Sequence, residues 1–338
     1  MLRVALLLIG RRLLVAVPIL LLVSFLLFAA LRVLPIDAAA MSLPPTATLV
    51  EIAEKRHAMG LDQPVPAQYA IWLGEALQGR FGQSIALRRD AWVLLAGGLP
   101  TTIELAVGAM IVASMLGVGG GLLLFASRGT WGEALGDLLS TLLMSVPDFM
   151  WALLLLLVFG VLVPVLPFMG RLDPGLARPS VTGFLMLDAV LTCQPVVLWS
   201  VLRHLALPAV ALGLAFAPAI ARVLRSSLLD VYHDDYIRQA RLRGVGEMRI
   251  LLFHALKNAA LPTLTLMGVQ FGFLFGGTLL IEVIYGYPGI GNLMVDAVRN
   301  ADLPVIQAVG MSYCVVVIGI SMATDAVHLL LDPRSLAR

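Results

Sequence analysis

Charge is scarce in this chain. Of its 338 residues only 13% are charged, against 60% hydrophobic, where soluble domains average about 25% charged. Such a chain cannot cover its apolar surface with polar groups, so lipid must act as its solvent. Lysine is scarcer still, with only Lys55 and Lys257 among the 23 basic residues. A phosphate-binding loop of the form GxxxxGK[ST] needs a lysine after glycine. Lys55 follows Glu54 and Lys257 follows Leu256, so the chain carries no Walker-type ATPase. Cysteine is limited to Cys193 and Cys314, which argues against a disulfide framework or a metal-thiolate spacing. The histidines, His57, His204, His233, His254 and His328, are scattered without an HExxH spacing. No catalytic residue, bound metal or nucleic-acid partner is expected.

What the chain has is long apolar runs. Leu13 to Leu31 follows Arg3, Arg11 and Arg12. Nineteen helical residues reach about 28 Å, enough for the hydrocarbon core. Although Ala38, Ala39 and Ala40 resemble a cleavage site, the run is too long for a signal h-region and reads as an uncleaved first span. Residues 32–99 are polar and turn-rich. Thr48 is placed to cap a helix ending at Gly60, and Pro66 to open another ending at Gly79. Five further spans are expected at Leu105–Ala126, Leu138–Leu166, Leu205–Ile220, Leu261–Ile284 and Val305–Leu330. The run at Val181–Val201, interrupted by Asp188, Gln194 and Pro195, reads as interfacial. The fold class is therefore an all-α membrane protein of six spans. Its divisions are 1–31, an external helical segment at 32–99, and a five-span core at 100–338.

Basic residues orient it. Segments on one side carry 13 bases, among them Arg128, Arg334, Arg338 and seven in the loop before residue 260. The short loops on the other side carry four, Arg171, Arg178, Arg203 and Arg299. The richer side faces the cytoplasm, so both termini are expected there.

The loop at about 222–260 is the most charged stretch, with Arg222, Arg225, Arg238, Arg241, Arg243, Arg249 and Lys257 among Asp230, Asp234, Asp235 and Glu247. Asp234 and Asp235 favour a helix start, and Gly244 is placed to end that helix in a left-handed conformation. Glu247 begins an amphipathic helix, and Pro262 opens the next span. Helix, bend, helix is the pattern of a docking surface for a soluble partner, beyond what topology alone requires.

Within the spans, Gly268, Gly272 and Gly276 form a stripe suited to close helix packing. Gln270, Leu274 and Gly277 share another face and are candidate pore positions, with interhelical hydrogen bonding the competing role for Gln270. Glu282 either lines the external mouth or pairs with a loop base. Asp148 is a carboxylate placed in a span, a costly position that suggests function; a buried hydrogen-bonded carboxylate is the plainer reading. Asp148 with Asp325 would be needed for an intramembrane hydrolase, and Asp148 or Glu282 for an ion-coupled secondary transporter. The glycine clusters Gly117–Gly121 and Gly286–Gly291 lack a strand–helix context and read as close packing and a tight turn.

The loop DYIRQARLRG…HALKNAALP at 235–262 resembles the cytoplasmic loop of binding-protein-dependent ABC importer permeases. Of the general EAA-x-x-x-G pattern, Ala240 and Gly244 match while Arg238 and Gln239 depart from it. The departures, and the late Leu261-Pro262 pair, are similar to the dipeptide/oligopeptide/nickel branch. GLDQPVPAQYAIWL at 60–73, GRFGQS at 79–84, Ser145 to Phe149, EVIYGYPGIG at 282–291 and Leu331-Asp332-Pro333-Arg334 are also similar to that branch.

The resemblance implies a type I importer architecture in the bacterial inner membrane. It implies a second homologous permease, two cytoplasmic ATPases holding ATP and Mg, and an external substrate-binding protein. The ATPase contact would fall on Arg238, Gln239, Ala240, Arg241 and Gly244. Di- or oligopeptides are the implied cargo, with nickel or a metal chelate as the alternative.

Overall fold

The computed structural model describes residues 2–33, 38–44, 46–58 and 60–331. The Leu331–Arg334 motif past its first residue, with Arg334 and Arg338, lies outside them. All described elements are helical; one isolated bridge joins Gln83 and Asp90. They are α1 (Leu2–Val33), α2 (Ala38–Ser42), α3 (Leu49–Ala58), α4 (Val65–Ala76), α5 (Ala91–Ala126), α6 (Trp131–Ser145) and α7 (Asp148–Leu155). After these come α8 (Leu185–Leu191), α9 (Pro195–Tyr232), α10 (Asp235–Leu242), α11 (Glu247–Arg249), α12 (Leu256–Ile284), α13 (Ile290–Arg299) and α14 (Leu303–Leu331).

Five continuous helical stretches are long and apolar enough to cross a bilayer: Leu14–Val33, Ala91–Ala126, Pro195–Tyr232, Glu247–Ile284 and Leu303–Val327. The third expected span is not straight. α6 and α7 meet at 96°, with Val146 and Pro147 between them; the residue before a proline is pushed out of helical geometry. A π-helical turn, Leu156–Leu162, continues α7. The Val181–Val201 run is divided between α8 and the first two turns of α9. Pro262 lies inside α12 instead of opening it, because Glu247 to Ile284 runs as one helical stretch through a π turn at Ile250–Ala255. Ile250, Ala255 and Ala259 are buried along that stretch, so tertiary packing holds the helix across its proline.

The outer faces of these helices stay apolar. Leu14, Met115, Leu123 and Phe273 are each about 70% exposed or more, as lipid or another membrane chain requires. The core is built where glycines let backbones meet. A Cβ on Gly117 would lie 2.6 Å from Ile220 Cβ, and one on Gly121 2.9 Å from the Ala221 carbonyl. These contacts hold α5 along α9 in the same direction. Both helices begin at the end of the bundle that carries the 38–90 segment and finish at the end that carries Gly244.

The 38–90 segment has its expected signals. Thr48 and Glu51 form a reciprocal capping box: Thr48 N–H donates to Glu51 Oε2 (2.7 Å) and Glu51 N–H to Thr48 Oγ1 (3.3 Å). Pro66 lies in the first turn of α4. Tyr69 and Trp72 pack on Phe28 of α1, and the Tyr69 hydroxyl meets Ser24 Oγ at 2.7 Å.

Candidate functional site

Residues 233–249 fold back onto the ends of α5, α9 and α12. α9 stops at Tyr232, and α10 begins after the two residues His233 and Asp234. α10 ends in a Schellman motif: Gly244 N–H donates to Arg241 O (2.9 Å) and Val245 N–H to Ala240 O (3.1 Å). Gly244 has φ +76°, a conformation that costs an L residue about 1–2 kcal/mol. Ile237 is the anchor. It is fully buried among Phe125, Leu224, Leu228, Ile250, Ala255 and Ala259, a burial that contributes about 1.5–3 kcal/mol. Arg241 closes the bend by two hydrogen bonds to Glu247, Nε to Oε1 at 2.6 Å and Nη2 to Oε2 at 3.3 Å. That carboxylate also raises the Arg241 pKa. Arg241 and Arg128 lie 5.2 and 5.5 Å from the Tyr232 ring centre, a cation–π pairing.

The outward face of the loop has a definite composition. Arg238, Gln239, Arg241, Arg243 and Gly244 are exposed, as are Leu242 (81%), Met248 (68%) and Phe253 (72%). Ala240 differs from its neighbours. It is half-buried against the loop's own apolar cluster and so shapes the loop from within. Phe253 belongs to the amphipathic pattern expected after Glu247, whereas Leu242 and Met248 were not singled out from the sequence, where the pattern of charge drew attention first.

Beneath the loop an ionic strap ties α6 to α9. Arg225 Nη1 donates to Asp137 Oδ1 (2.7 Å) and Oδ2 (2.9 Å), and Nη2 pairs with Glu133. Arg222 donates to Thr141 Oγ1 at 2.9 Å. Glu133, Asp137 and Thr141 recur every fourth residue, so the spacing was visible in the sequence, although the partner was not.

The expected pore positions separate. Leu274 is fully buried in the core and does not face a path. Gln270 and Gly277, seven residues apart on α12, remain partly exposed. They flank the exposed face formed by Val269, Phe273, Gly276 and Leu280. Asp148 lies on the same flank: a Cβ on Gly277 would stand 3.2 Å from Asp148 Oδ2. The Asp148 Oδ1 atom accepts from the Phe149 N–H at 2.8 Å. Thr324, next to Asp325, packs on Gly268. Nine residues of α12 separate that contact from Gly277, about 13 Å along the axis, so Asp148 and Asp325 do not form a catalytic pair. The glycine stripe is uneven. Gly268 meets Thr324 closely, Gly272 meets Val317 at ordinary contact distance, and Gly276 has no heavy atom within 4 Å. α12 and α14 are thus closest near Gly268, and Gly276 is not a packing residue within this chain.

Glu282 is fully buried and neither lines a mouth nor pairs with a base. Thr102 Oγ1 donates to Glu282 Oε1 (2.6 Å) and accepts from Ile290 N–H (2.9 Å). Glu282 Oε2 accepts from the N–H groups of Gly291 (2.8 Å) and Asn292 (3.0 Å). A carboxylate from one span therefore caps the first turn of α13, where the helix dipole favours an anion. Nearby, buried Arg171 donates to Thr101 Oγ1 (2.8 Å) and pairs with Glu104. Glu104 in turn accepts from Met186 N–H at 2.8 Å. Asp188 organises the adjacent loop. Burial raises its pKa, but hydrogen bonds from the Thr182 hydroxyl and the backbone of residues 181–183 outweigh that and lower it to about 2. Among the described residues no cluster of three or more His, Cys, Asp or Glu could hold a metal ion.

The chain is similar to known proteins. A family described as the binding-protein-dependent transport system inner membrane component matches residues 117–336, and the family of its N-terminal part matches 1–106. The di/tripeptide transport system permease protein DppB of Pseudomonas aeruginosa is 34% identical, covering 96% of this chain and 97% of its own length. The glutathione transport system permease protein GsiC of Salmonella typhimurium is 35% identical over 96% of each chain. The dipeptide transport system permease protein DppB of Alkalihalophilus pseudofirmus is 33% identical over 96% and 97%. Among solved structures, an inward-facing MetNI methionine ABC transporter chain matches with a TM-score of 0.55 at 17% identity, covering 71% of this chain and 96% of that one. Family, fold and apolar helices agree, and the chain belongs to the binding-protein-dependent inner membrane components, the multi-pass permease subunits of ABC importers.

Proposed function

We propose that this chain forms half of the membrane path of an ATP-driven importer of di- or oligopeptides. The observation that carries the proposal is the 233–249 loop. Ile237 anchors one face of α10, while Arg238, Gln239, Arg241, Leu242 and Arg243 stand exposed on a rigid, glycine-terminated knob. Such a knob transmits force from a partner that moves. The partners are two ATPase subunits that hold ATP and Mg, one engaging this loop. The loop end is cytoplasmic, as the distribution of 13 bases against four supports, and both termini lie on that side.

The exposed α12 face of Val269, Phe273, Gly276 and Leu280 meets a second, homologous permease. Gln270, Gly277 and Asp148 line the path at that seam. The division into 1–31, 32–99 and 100–338 separates the first span, a segment that receives an external binding protein, and the moving core. Peptide cargo is favoured over nickel or a metal chelate because the relatives named above are di/tripeptide, dipeptide and glutathione permeases. The test is uptake of a labelled dipeptide into proteoliposomes holding the assembled complex. ATP-dependent uptake that Gly244→Val abolishes, without loss of this chain from the membrane, is the expected result. Uptake by this chain without ATP would instead show a secondary transporter.

A further inference from the structure

A cavity of about 320 Å³ lies between the last turn of α1, helix α3, residues 82–88 and the first turn of α14. Arg32, Lys55 and Arg88 line it with Gln83, Ser84 and Gln307. No carboxylate lines it. Asp302, beside it, engages Ser84 Oγ and the Ala86 N–H through Oδ2, while its Oδ1 is buried without a partner. Three cations line the cavity, more than this one carboxylate neutralises. Gln307, only 5% exposed, lines the cavity and places its amide within reach of an occupant. Arg32 Nε is buried without a hydrogen-bond partner. Buried polar groups are satisfied by something in the great majority of cases, and with Arg32, Lys55 and Arg88 around the cavity the ligand that suits it is anionic and rich in acceptors.

The cavity's depth in the membrane narrows the choice. Arg32 ends the span Leu14–Val33, and Leu303 and Pro304 open the span Leu303–Val327, so the cavity lies where lipid head groups lie. Below it α1 exposes Leu22, Leu26 and other apolar side chains to hydrocarbon. The four ligating groups come from two bodies: Arg32 and Gln307 from the spans, Lys55 and Arg88 from the 38–90 segment. We propose that the cavity seats the phosphate of an anionic phospholipid head group, which pins the 38–90 segment to α1 and α14. Guanidinium groups suit phosphate oxygens through paired N–H donors, and the Gln307 amide supplies a further donor.

Native mass spectrometry of the full chain in mild detergent tests this, with phosphatidylglycerol, phosphatidylcholine and inorganic phosphate as probes. Three cations near one head group should favour phosphatidylglycerol over phosphatidylcholine by about a hundredfold at low salt. Arg32→Gln with Lys55→Gln and Arg88→Gln should erase the preference, whereas Arg32→Lys with Arg88→Lys should keep most of it. Gln307→Met, which leaves every charge in place, should lower it several-fold. Arg178→Gln, in the loop before α8 and not among the cavity residues, should leave it unchanged. A preference that survives both the triple variant and Gln307→Met would overturn the proposal. So would displacement of phosphatidylglycerol by equimolar inorganic phosphate, which would assign the cavity to a free anion.

Discussion

Gly268 and Gly276 differ by two turns on one helix, and the structure gives them opposite tolerances. A methyl added at Gly268 would lie 2.1 Å from Thr324 Cγ2, 2.4 Å from Oγ1 and 2.7 Å from Cβ. Turning Thr324 about χ1 moves the first two atoms but not Cβ. Relief to the 3.5–4 Å of ordinary carbon contact therefore needs α12 and α14 to part by about 1 Å. Such overpacking costs about 1–3 kcal/mol. At Gly276 the methyl meets no heavy atom within 4 Å, and alanine gains up to about 1 kcal/mol of helix propensity. Both changes gain the same helix propensity, so the two alanine variants should differ by the overpacking term, about 1–3 kcal/mol, with Gly268→Ala the less stable. Thermal unfolding in one detergent, followed by loss of the monodisperse peak, measures this as a Tm gap of several degrees. Equal Tm values, or a lower value for Gly276→Ala, would refute the packing described for α12 and α14.

Other substitutions probe other joints. Gly244→Val places a β-branched residue at φ +76°; membrane insertion should persist while ATPase stimulation by this subunit falls, as read by ATP hydrolysis in the reconstituted complex. Gly272→Ala should be neutral, since its Cβ would meet Val317 Cγ1 at 3.6 Å, whereas Gly272→Leu should impair assembly and uptake; both are read by yield of monodisperse protein and by transport. Thr102→Val removes a donor to Glu282 and an acceptor for Ile290 N–H, which should lower stability by about 1–3 kcal/mol, while Thr102→Ser should restore most of it. Asp188, with its pKa lowered to about 2 from about 3.9 when unfolded, stabilises loop 181–183 above about pH 4. That contribution is lost as pH falls through 2, so pepsin cleavage within 178–194 should rise between pH 4 and 2 in the native chain and be high throughout in Asp188→Asn.

The sequence was informative where cause and effect lie close together. Thr48 and Glu51 cap their own helix, Gly244 ends α10 one residue after the helix cap, and the long apolar runs become spans whatever they pack against. Legibility failed where the deciding partner is remote. Glu282 caps α13 only because Thr102, 180 residues earlier, is brought against it. Leu274 and Gln270 look alike on a helical wheel until packing buries one and leaves the other partly exposed. Gly268, Gly272 and Gly276 share a period, but their neighbours on α14 recede along the helix. The α6–α7 bend was signalled by Pro147, yet hydropathy alone runs straight through it. Family resemblance in the loop supplied what periodicity could not, an expectation of the kind of partner for the exposed arginines.

Copurification of the tagged chain from native membranes in mild detergent, with mass spectrometry of its companions, tests the central claim most directly. The account predicts a second permease together with ATPase subunits that carry Walker motifs, and loss of the ATPases alone from the Gly244→Val preparation. A chain that emerges alone, and that carries peptide into liposomes without ATP, would contradict it.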